Sequence, residues 1–343
     1  MWGSPTKVGK GWLMHMTTVE SGSIVGDAPA AVRPCIVCGH QGAQELLKAP
    51  DRFHGASDLY RLVRCSSCSL VWLENAPKPE DMFRHYGQDY DRKIAEAGES
   101  SPQRWRDRRE TLKLHKQGGA ILDLGCSSGS FLETLKGGKW DLYGVEMSTE
   151  SASRALARCG AKVFVGDILD APFRPGSFDV ITCFHVFEHL YHPREVLARV
   201  SEWLKPGGIF YVLMPNIDSA GARVFKSYWY ALELPRHLFH FSPESLRKLA
   251  ESVGLEEISM VTGRELFIEK SVHYMVDDLL RKVDVTRPPL SKCKEPSFPW
   301  KVVRKMYRMT VQPVLTGALG LAGDGESIHG IFRKRATVGN GAA

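Results

Sequence analysis

Two cysteine pairs, Cys35/Cys38 and Cys65/Cys68, stand in the order C-x2-C, 26 residues, C-x2-C. A C-x2-C turn places two thiolates on one side of a knuckle, and two knuckles complete a tetrahedral zinc site. Gly39 and Ser69, small residues after each second cysteine, suit the tight turn that a knuckle needs. Four thiolates close the coordination sphere and leave no place for a reactive water, so the expected metal is structural zinc. Its net charge of about −2 asks for nearby cations, and Arg33, Arg61 and Arg64 are the candidates. A ribbon of this size has little core of its own, so metal binding is expected to supply most of its folding free energy. The plain alternative is four loop cysteines that pair by chance. Cys126, Cys159, Cys183 and Cys293 are scattered and form no such pattern.

A second group suits proton transfer. His185, Glu188 and His189 lie close together, and His237 and His240 follow in PRHLFHFS. Histidine titrates near pH 6.5, which fits a base that takes a proton from an acceptor hydroxyl. In a helical turn the i, i+4 spacing of His185 and His189 would put both rings on one side, and Glu188 is placed to orient either. The structural alternative is that His189 or His237 caps a helix or satisfies a core hydrogen bond. Glu188, His189 and His237 would make a metal site if the fold brought them together, which their spacing alone does not indicate.

These residues need a scaffold, and the pattern from Ala120 supplies one. Short β-branched runs alternate with helical segments, which predicts βαβ units and a parallel, doubly wound α/β sheet. The strands read 120–125, 142–147, 162–167, 178–184 and 208–215, with later strands near 256–262 and 328–335. Helices are expected at 130–136, 149–159, 193–204 and 243–253. Ser242 is the expected N-cap of the last, Pro243 its first residue and Gly254 its stop. The first strand runs into DLGCSSGS (123–130), a glycine-rich turn before a helix, where backbone amides approach a ligand. Its D-x-G-x-x-x-G spacing is neither the dinucleotide fingerprint nor a phosphate loop. The second strand ends at Glu146, placed for ribose hydroxyls, and the third at Asp167, placed for an adenine amine.

In LDLGCSSGSFL, GVEMS, GDILDAPFRPGSFDVI, FHVFEHL and LKPGGIFYVLMPN the chain resembles the class I S-adenosylmethionine-dependent methyltransferases over roughly 120–262. The ribbon, YGQDYD and YWYALELPRHLFHFSPESL extend the resemblance to about 33–262. They narrow it to bacterial methyltransferases with an amino-terminal zinc ribbon, often associated with glycan and natural-product pathways. The resemblance implies a Rossmann-like methyltransferase sheet with a small zinc-ribbon domain before it. It implies that Asp123, Gly125, Cys126 and Gly129 form the loop under the methionine part of S-adenosylmethionine. Glu146 and Met147 would sit at the ribose, Asp167 and Ile168 at the adenine, His185 beside the sulfonium, and Tyr90 over the site. Cys126 is read as a small buried residue whose thiol does no chemistry. The Cys126-Ser127-Ser128 stretch departs from the Cys-Gly-Thr common among relatives, and serine can make the same turn.

The implied reaction is methyl transfer to a small molecule or glycan, at a hydroxyl oxygen, with a histidine as base. The alternative is a zinc-ribbon RNA methyltransferase gripping phosphates. Against it, Phe184-His185-Val186-Phe187 replaces the Asn-Pro-Pro-Tyr type motif, and the one Pro-Cys (34–35) is spent on the ribbon. A non-catalytic binding module is a third class, opposed by the intact loop and Glu146.

Along the chain the expected organisation is a disordered leader at 1–32, with Met14 or Met16 as a conceivable start, and the ribbon at 33–74. Connecting helices or a lid follow at 75–119, then the cofactor-binding core at 120–262. An insertion with a basic amphipathic helix spans 263–327, and the last strand and tail 328–343. Residues 103–116 read as a helix with four arginines between 104 and 109, either a solvated face or a contact to an anionic ligand. Tyr228, Trp229 and Tyr230 either line a pocket for a sugar or ring, or cover the sheet edge. The 300–321 stretch either packs on the protein or lies on an anionic membrane surface. Across 343 residues, 45 Lys plus Arg against 39 Asp plus Glu give a net charge of +6, which permits an anionic partner without requiring one. No apolar run has the length of a membrane span, and the first 30 residues lack the apolar core of a signal peptide. The expected compartment is the cytoplasm, with peripheral contact to the inner membrane through 300–321 as the second reading.

Overall fold

The computed structural model describes residues 33–53, 58–86, 102–263, 265, 267–283, 305, 309–310 and 325–335. The expected leader, Tyr90, Cys293 and all but three residues of 300–321 lie outside the described residues.

Arg33–Ala343 forms one compact unit built on two sheets. The smaller contains β1 (Ala43–Pro50), β2 (Leu59–Cys65), β3 (Val71–Leu73) and, far along the chain, β9 (Phe239–His240). The larger contains β4 (Gly119–Leu124), β5 (Trp140–Glu146), β6 (Lys162–Val165), β7 (Phe178–Phe184), β8 (Leu204–Pro215), β10 (Leu255–Gly263) and β11 (Ser327–Lys334). Its order is β10-β11-β8-β7-β4-β5-β6, parallel from β8 to β6, with β11 antiparallel between β8 and β10. The chain leaves β4 toward β5 and β6, then returns to β7 on the other side. That reversal at β4 is the switch point where such sheets bind ligands.

Both faces of the large sheet are covered, which is why its strands read as continuous apolar runs rather than alternating ones. Ile121, Val180, Ile209 and Tyr211 pack on one face with Leu112, Phe131, Leu132 and Ala155. Those four come from α1 (Pro102–Lys113), α2 (Ser130–Glu133) and α3 (Thr149–Cys159). The alternate residues Leu122, Ile181, Phe210 and Val212 face α4 (Pro193–Trp203) and α6 (Pro243–Ser252). A short α5 (Ala220–Phe225) lies between these last two. The second apolar cluster continues without a break into Leu62, Leu70, Trp72 and the knuckle cysteines, so the ribbon shares the core of the large sheet.

The expected boundaries shift where local chemistry wins. The second helix stops at Glu133, short of 136, ahead of Gly137-Gly138. β8 begins at Leu204 rather than 208, because Leu204 pairs with Phe178 and Ile209 with Val180, so Lys205–Gly208 bulge between them. β6 ends at Val165, and Asp167 caps a 3-10 turn over Ile168–Asp170. Ser242 caps α6 as expected, in a capping box with Ser245, with Pro243 at the first turn and Gly254 at φ +81° just beyond. Within the expected insertion a helix not anticipated appears, α7 (Phe267–Val283). Among the described residues no helix is long and apolar enough to cross a membrane.

α7 is tied to β11 by Glu326, whose Oε2 accepts from the Phe267 amide at 3.1 Å. Glu326 is buried, and burial pushes its carboxyl up to about 7. The folded state therefore keeps a proton that the unfolded chain releases above about pH 4.5. Stability from this group is present at low pH and lost as pH rises toward 7. Glu326→Gln keeps an acceptor for Phe267 and removes the titration. Its stability relative to wild type is expected to grow between pH 4.5 and 7, approaching about 3 kcal/mol, as measured by urea denaturation at the two ends of that range.

Candidate active site

The turn after β4 is built by backbone that favours glycine. Gly125 (φ +67°), Ser127 (φ +49°) and Gly129 (φ +76°) all lie in the left-handed region. A Cβ on Gly125 would collide with Val186, and one on Gly129 would stand 3.0 Å from Ala155 of α3. The turn is therefore pressed between the end of β7 and α3, with no room for a side chain at Gly125 or Gly129. Glu146, at the end of β5, pins it from the far side: Oε2 accepts from the Ser127 amide (2.9 Å) and Oε1 from the Ser148 amide (3.0 Å). Asp123 is buried and accepts from Thr182 Oγ1 at 2.6 Å, and burial raises its carboxyl to about 7. Cys126 is buried as well, its thiol pushed up by burial and by Asp123 and Glu146, so it carries no thiolate near neutral pH. Met147 and Asp167 are exposed, and Ile168 is buried beneath Asp167.

Across the switch point, His185 sits at φ +56° where β7 ends, a strained position for a residue other than glycine. Its backbone amide is held by Leu213 O at 2.8 Å. Because His185 stands outside the 3-10 turn Phe187–His189, the expected i, i+4 pairing with His189 does not form; Glu188 Oε1 stands 3.5 Å from His185 Nδ1 instead. His185 is kept neutral: burial and then the Arg108 guanidinium lower its pKa to about 3.

His189 and His237 do meet, edge to face, with ring centroids 4.6 Å apart. His189 Nδ1 bonds Arg236 O (3.1 Å) and His237 Nδ1 bonds Ala231 O (2.8 Å). Glu188 joins them, and the ligand-type atoms of Glu188, His189 and His237 all lie within 4.8 Å of one another. His240 is apart: it pairs with Val71 in the small sheet, and its buried Nε2 has no hydrogen-bond partner among the described residues.

Arg108 was legible only as one of a run of arginines. Its side chain lies beneath the site, 3% exposed, against the rings of Trp105 (4.6 Å) and Phe184 (4.8 Å). None of its three guanidinium nitrogens has a hydrogen-bond partner among the described residues. Burial and Arg104 lower its pKa to about 10, which still leaves it charged. Of the expected aromatic trio, Trp229 packs inward, while Tyr230 stacks on Tyr274 with centroids 5.7 Å apart and lines a cleft with Arg52, Phe53 and Glu233.

The knuckles have the expected form. Gly39 (φ +74°) and Ser69 (φ +63°) turn back so that their amides reach Cys35 O and Cys65 O. Cys35 Sγ lies 3.4 Å from Cys68 Sγ and Cys38 Sγ 3.6 Å from Cys65 Sγ, and all four sulfurs fall within 4.8 Å of each other. A tetrahedron with metal–sulfur bonds of about 2.3 Å has edges of about 3.8 Å, so the four residues fit a zinc ion. Arg61 and Arg64, expected to balance its charge, pair instead with Glu74 and Asp218, because those carboxylates are nearer. Arg33 does feel Cys35.

A family profile described as a methyltransferase domain matches residues 94–260. A ubiquinone biosynthesis O-methyltransferase of Thiobacillus denitrificans is 31% identical over 165 residues, covering 45% of this chain and 69% of that protein. The chain belongs to the class I S-adenosylmethionine-dependent methyltransferases. The protein of the same name from Burkholderia orbicola is 28% identical over 161 residues, covering 45% of this chain and 67% of its own. Phosphoethanolamine N-methyltransferase 2 of Haemonchus contortus, solved with S-adenosylmethionine, has the same fold: TM-score 0.50, 18% identity, 78% of this chain and 62% of that one. The strand order and the tight turn after β4 are those of a methyltransferase sheet, and S-adenosylmethionine fits the cradle that Gly125, Gly129 and Glu146 form.

Glu146→Ala removes the acceptor for two loop amides. The methyltransferase carrying it is expected to bind S-adenosylmethionine at least ten-fold more weakly by titration calorimetry, with the fold retained by circular dichroism.

Proposed function

We propose that this methyltransferase moves the methyl group to a hydroxyl oxygen of a small-molecule or glycan acceptor, with His185 as general base. What S-adenosylmethionine supplies is a methyl group on a positively charged sulfur. The observation that carries the reading is the meeting, at one end of the sheet, of the glycine turn, Glu146, Arg108 and His185. Glu146 holds the ribose hydroxyls and Asp167 the adenine edge, while Gly125 and Gly129 let the backbone approach the methionine part. Arg108, a buried charge in want of an anion, holds the methionine carboxylate. Binding it would also offset the Arg108 charge, the second largest influence on His185 after burial. His185 Nε2 or Nδ1 takes the acceptor proton, and Glu188 orients the ring. The four knuckle cysteines hold a structural zinc.

Relatives named as O-methyltransferases support oxygen as the acceptor atom. The cleft between Arg52, Phe53, Tyr230, Glu233 and Tyr274 holds about 10 Å³, too little for a ring or sugar without side-chain movement. A groove of about 220 Å³ around Lys136, Trp140 and Lys162 lies at the amino ends of β5 and β6, away from the site.

Two experiments test this. Methyl-labelled S-adenosylmethionine, incubated with the enzyme and fractionated extract of its own cells, is expected to label a glycan or metabolite; label in RNA instead overturns the acceptor class. With that acceptor, His185→Ala is expected to lower kcat at least 100-fold with the dissociation constant of S-adenosylmethionine within a few-fold of wild type. Arg108→Met is expected to do the reverse, weakening cofactor binding ten-fold or more. Unchanged kcat in His185→Ala would remove the base.

A further inference from the structure

The cluster of Glu188, His189 and His237 is more ordered than a proton shuttle requires. A carbonyl oxygen only accepts, so the bonds to Arg236 O and Ala231 O fix both imidazoles with hydrogen on Nδ1. Both rings then offer an Nε2 lone pair and hold it in a set direction. This is the way metal-binding histidines are braced in proteins, through the nitrogen that does not meet the ion. The Nε2 lone pair of His237 stands 3.6 Å from Glu233 Oε2, an acceptor facing an acceptor. Glu188, 2% exposed, has one oxygen near His185 and the other, Oε2, without a hydrogen-bond partner among the described residues. One ligand atom from each of Glu188, His189 and His237 lies within 4.8 Å of the other two.

The distances agree. Three atoms mutually within 4.8 Å lie no more than about 2.8 Å from a common centre, against bonds of about 2.0–2.2 Å to zinc. Each would move inward by about 0.7 Å at most, within reach of a rotamer adjustment. The neighbouring cation is Arg236, whose Nη2 stands 3.1 Å from Glu233 Oε1, so one carboxylate offsets its charge although Nε and Nη2 have no hydrogen-bond partner among the described residues.

We propose that Glu188, His189 and His237 bind a divalent transition-metal ion, distinct from the ribbon zinc, whose open position takes the acceptor oxygen. Two imidazoles and a carboxylate suit Zn²⁺, Fe²⁺, Co²⁺ or Mn²⁺, and three protein ligands leave room for a further oxygen. The ion's binding stands on the geometry alone; its role deepens the oxygen-acceptor reading and rests on it. A hydroxyl bound to such an ion loses its proton more readily. That proton goes to His185, the oxygen forms the new O–C bond, and the C–S bond breaks with its pair on sulfur, leaving a neutral thioether. The ion keeps its oxidation state throughout.

The test reads metal content before activity. The full-length enzyme is stripped of metal, reloaded with Co²⁺ or Zn²⁺, passed over a chelating resin and analysed by mass spectrometry for metal per chain. Wild type is expected to retain two ions. Glu188→Gln, which keeps the side chain's shape, and His237→Ala are expected to retain one. Cys35→Ser with Cys38→Ser is expected to lose the other. The cobalt spectrum separates the sites without any variant, because only the cysteine site gives thiolate-to-metal charge-transfer bands. One ion per chain in wild type, with an all-thiolate spectrum, overturns the proposal, as does a second ion that persists in Glu188→Gln. Two ions with no methylation of any hydroxyl acceptor would leave the site standing and sink the acceptor reading instead.

Discussion

The backbone of Leu238 is where the molecule is held together. Its amide donates to Glu188 O at 2.8 Å, and its carbonyl accepts from the Leu73 amide at 2.9 Å. One residue thus joins the turn that carries Glu188 and His189 to the third strand of the ribbon. On either side of it, His237 reaches into the site and Phe239 pairs with Trp72. Buried backbone groups must be paired, and in this segment they can be paired only if ribbon and site are both in place.

That arrangement changes what the ribbon is for. By itself the ribbon has three short strands and a handful of apolar residues, too little to order a chain of its length without a metal. In the fold its apolar side merges with the core of the large sheet, and β9 completes its own sheet from the far end of the chain. The knuckles then act as a clamp on the edge of β3. A metal there would stiffen the strand against which Leu238, Phe239 and His240 are registered.

Much of the large sheet was legible because it obeys simple rules. Strands buried on both faces are apolar throughout, and α6 announced itself by Ser242, Pro243 and Gly254. The tight turn after β4 was legible from its glycines, and the residues expected at the cofactor, Asp123, Gly125, Glu146 and Asp167, follow the strand ends in order. Other parts of the candidate site were less so. Arg108 looks in sequence like its neighbours Arg106, which is exposed, and Arg109, which is half-buried and donates to Thr134 O; only the packing of Trp105 and Phe184 over it sets it apart. α7 lies in a polar crossover whose strand partners are remote, and nothing nearby marked its start. The i, i+4 rule failed for His185 and His189 because the turn begins one residue too late, after a left-handed His185.

The two ends of the site are built on opposite principles. At the turn after β4 there is no space for a side chain at Gly125 or Gly129, where a Cβ would meet Val186 or Ala155. The acceptor side collects polar side chains in a dry place: Glu188, His237 and His240 are all buried, and together with Arg108 and Glu326 they are among the few titratable groups so enclosed. Burial of this kind destabilises a fold unless the groups are matched. His189 and His237 are matched on one nitrogen by carbonyls, Arg236 by Glu233 and by His85 O. Among the described residues Arg108 and Glu188 Oε2 have no hydrogen-bond partner, and neither have His240 Nε2 and Arg236 Nε. A guanidinium is matched by an anion and a carboxylate oxygen by a proton or a cation, so on the reading proposed above Arg108 and Glu188 would receive charges of opposite sign.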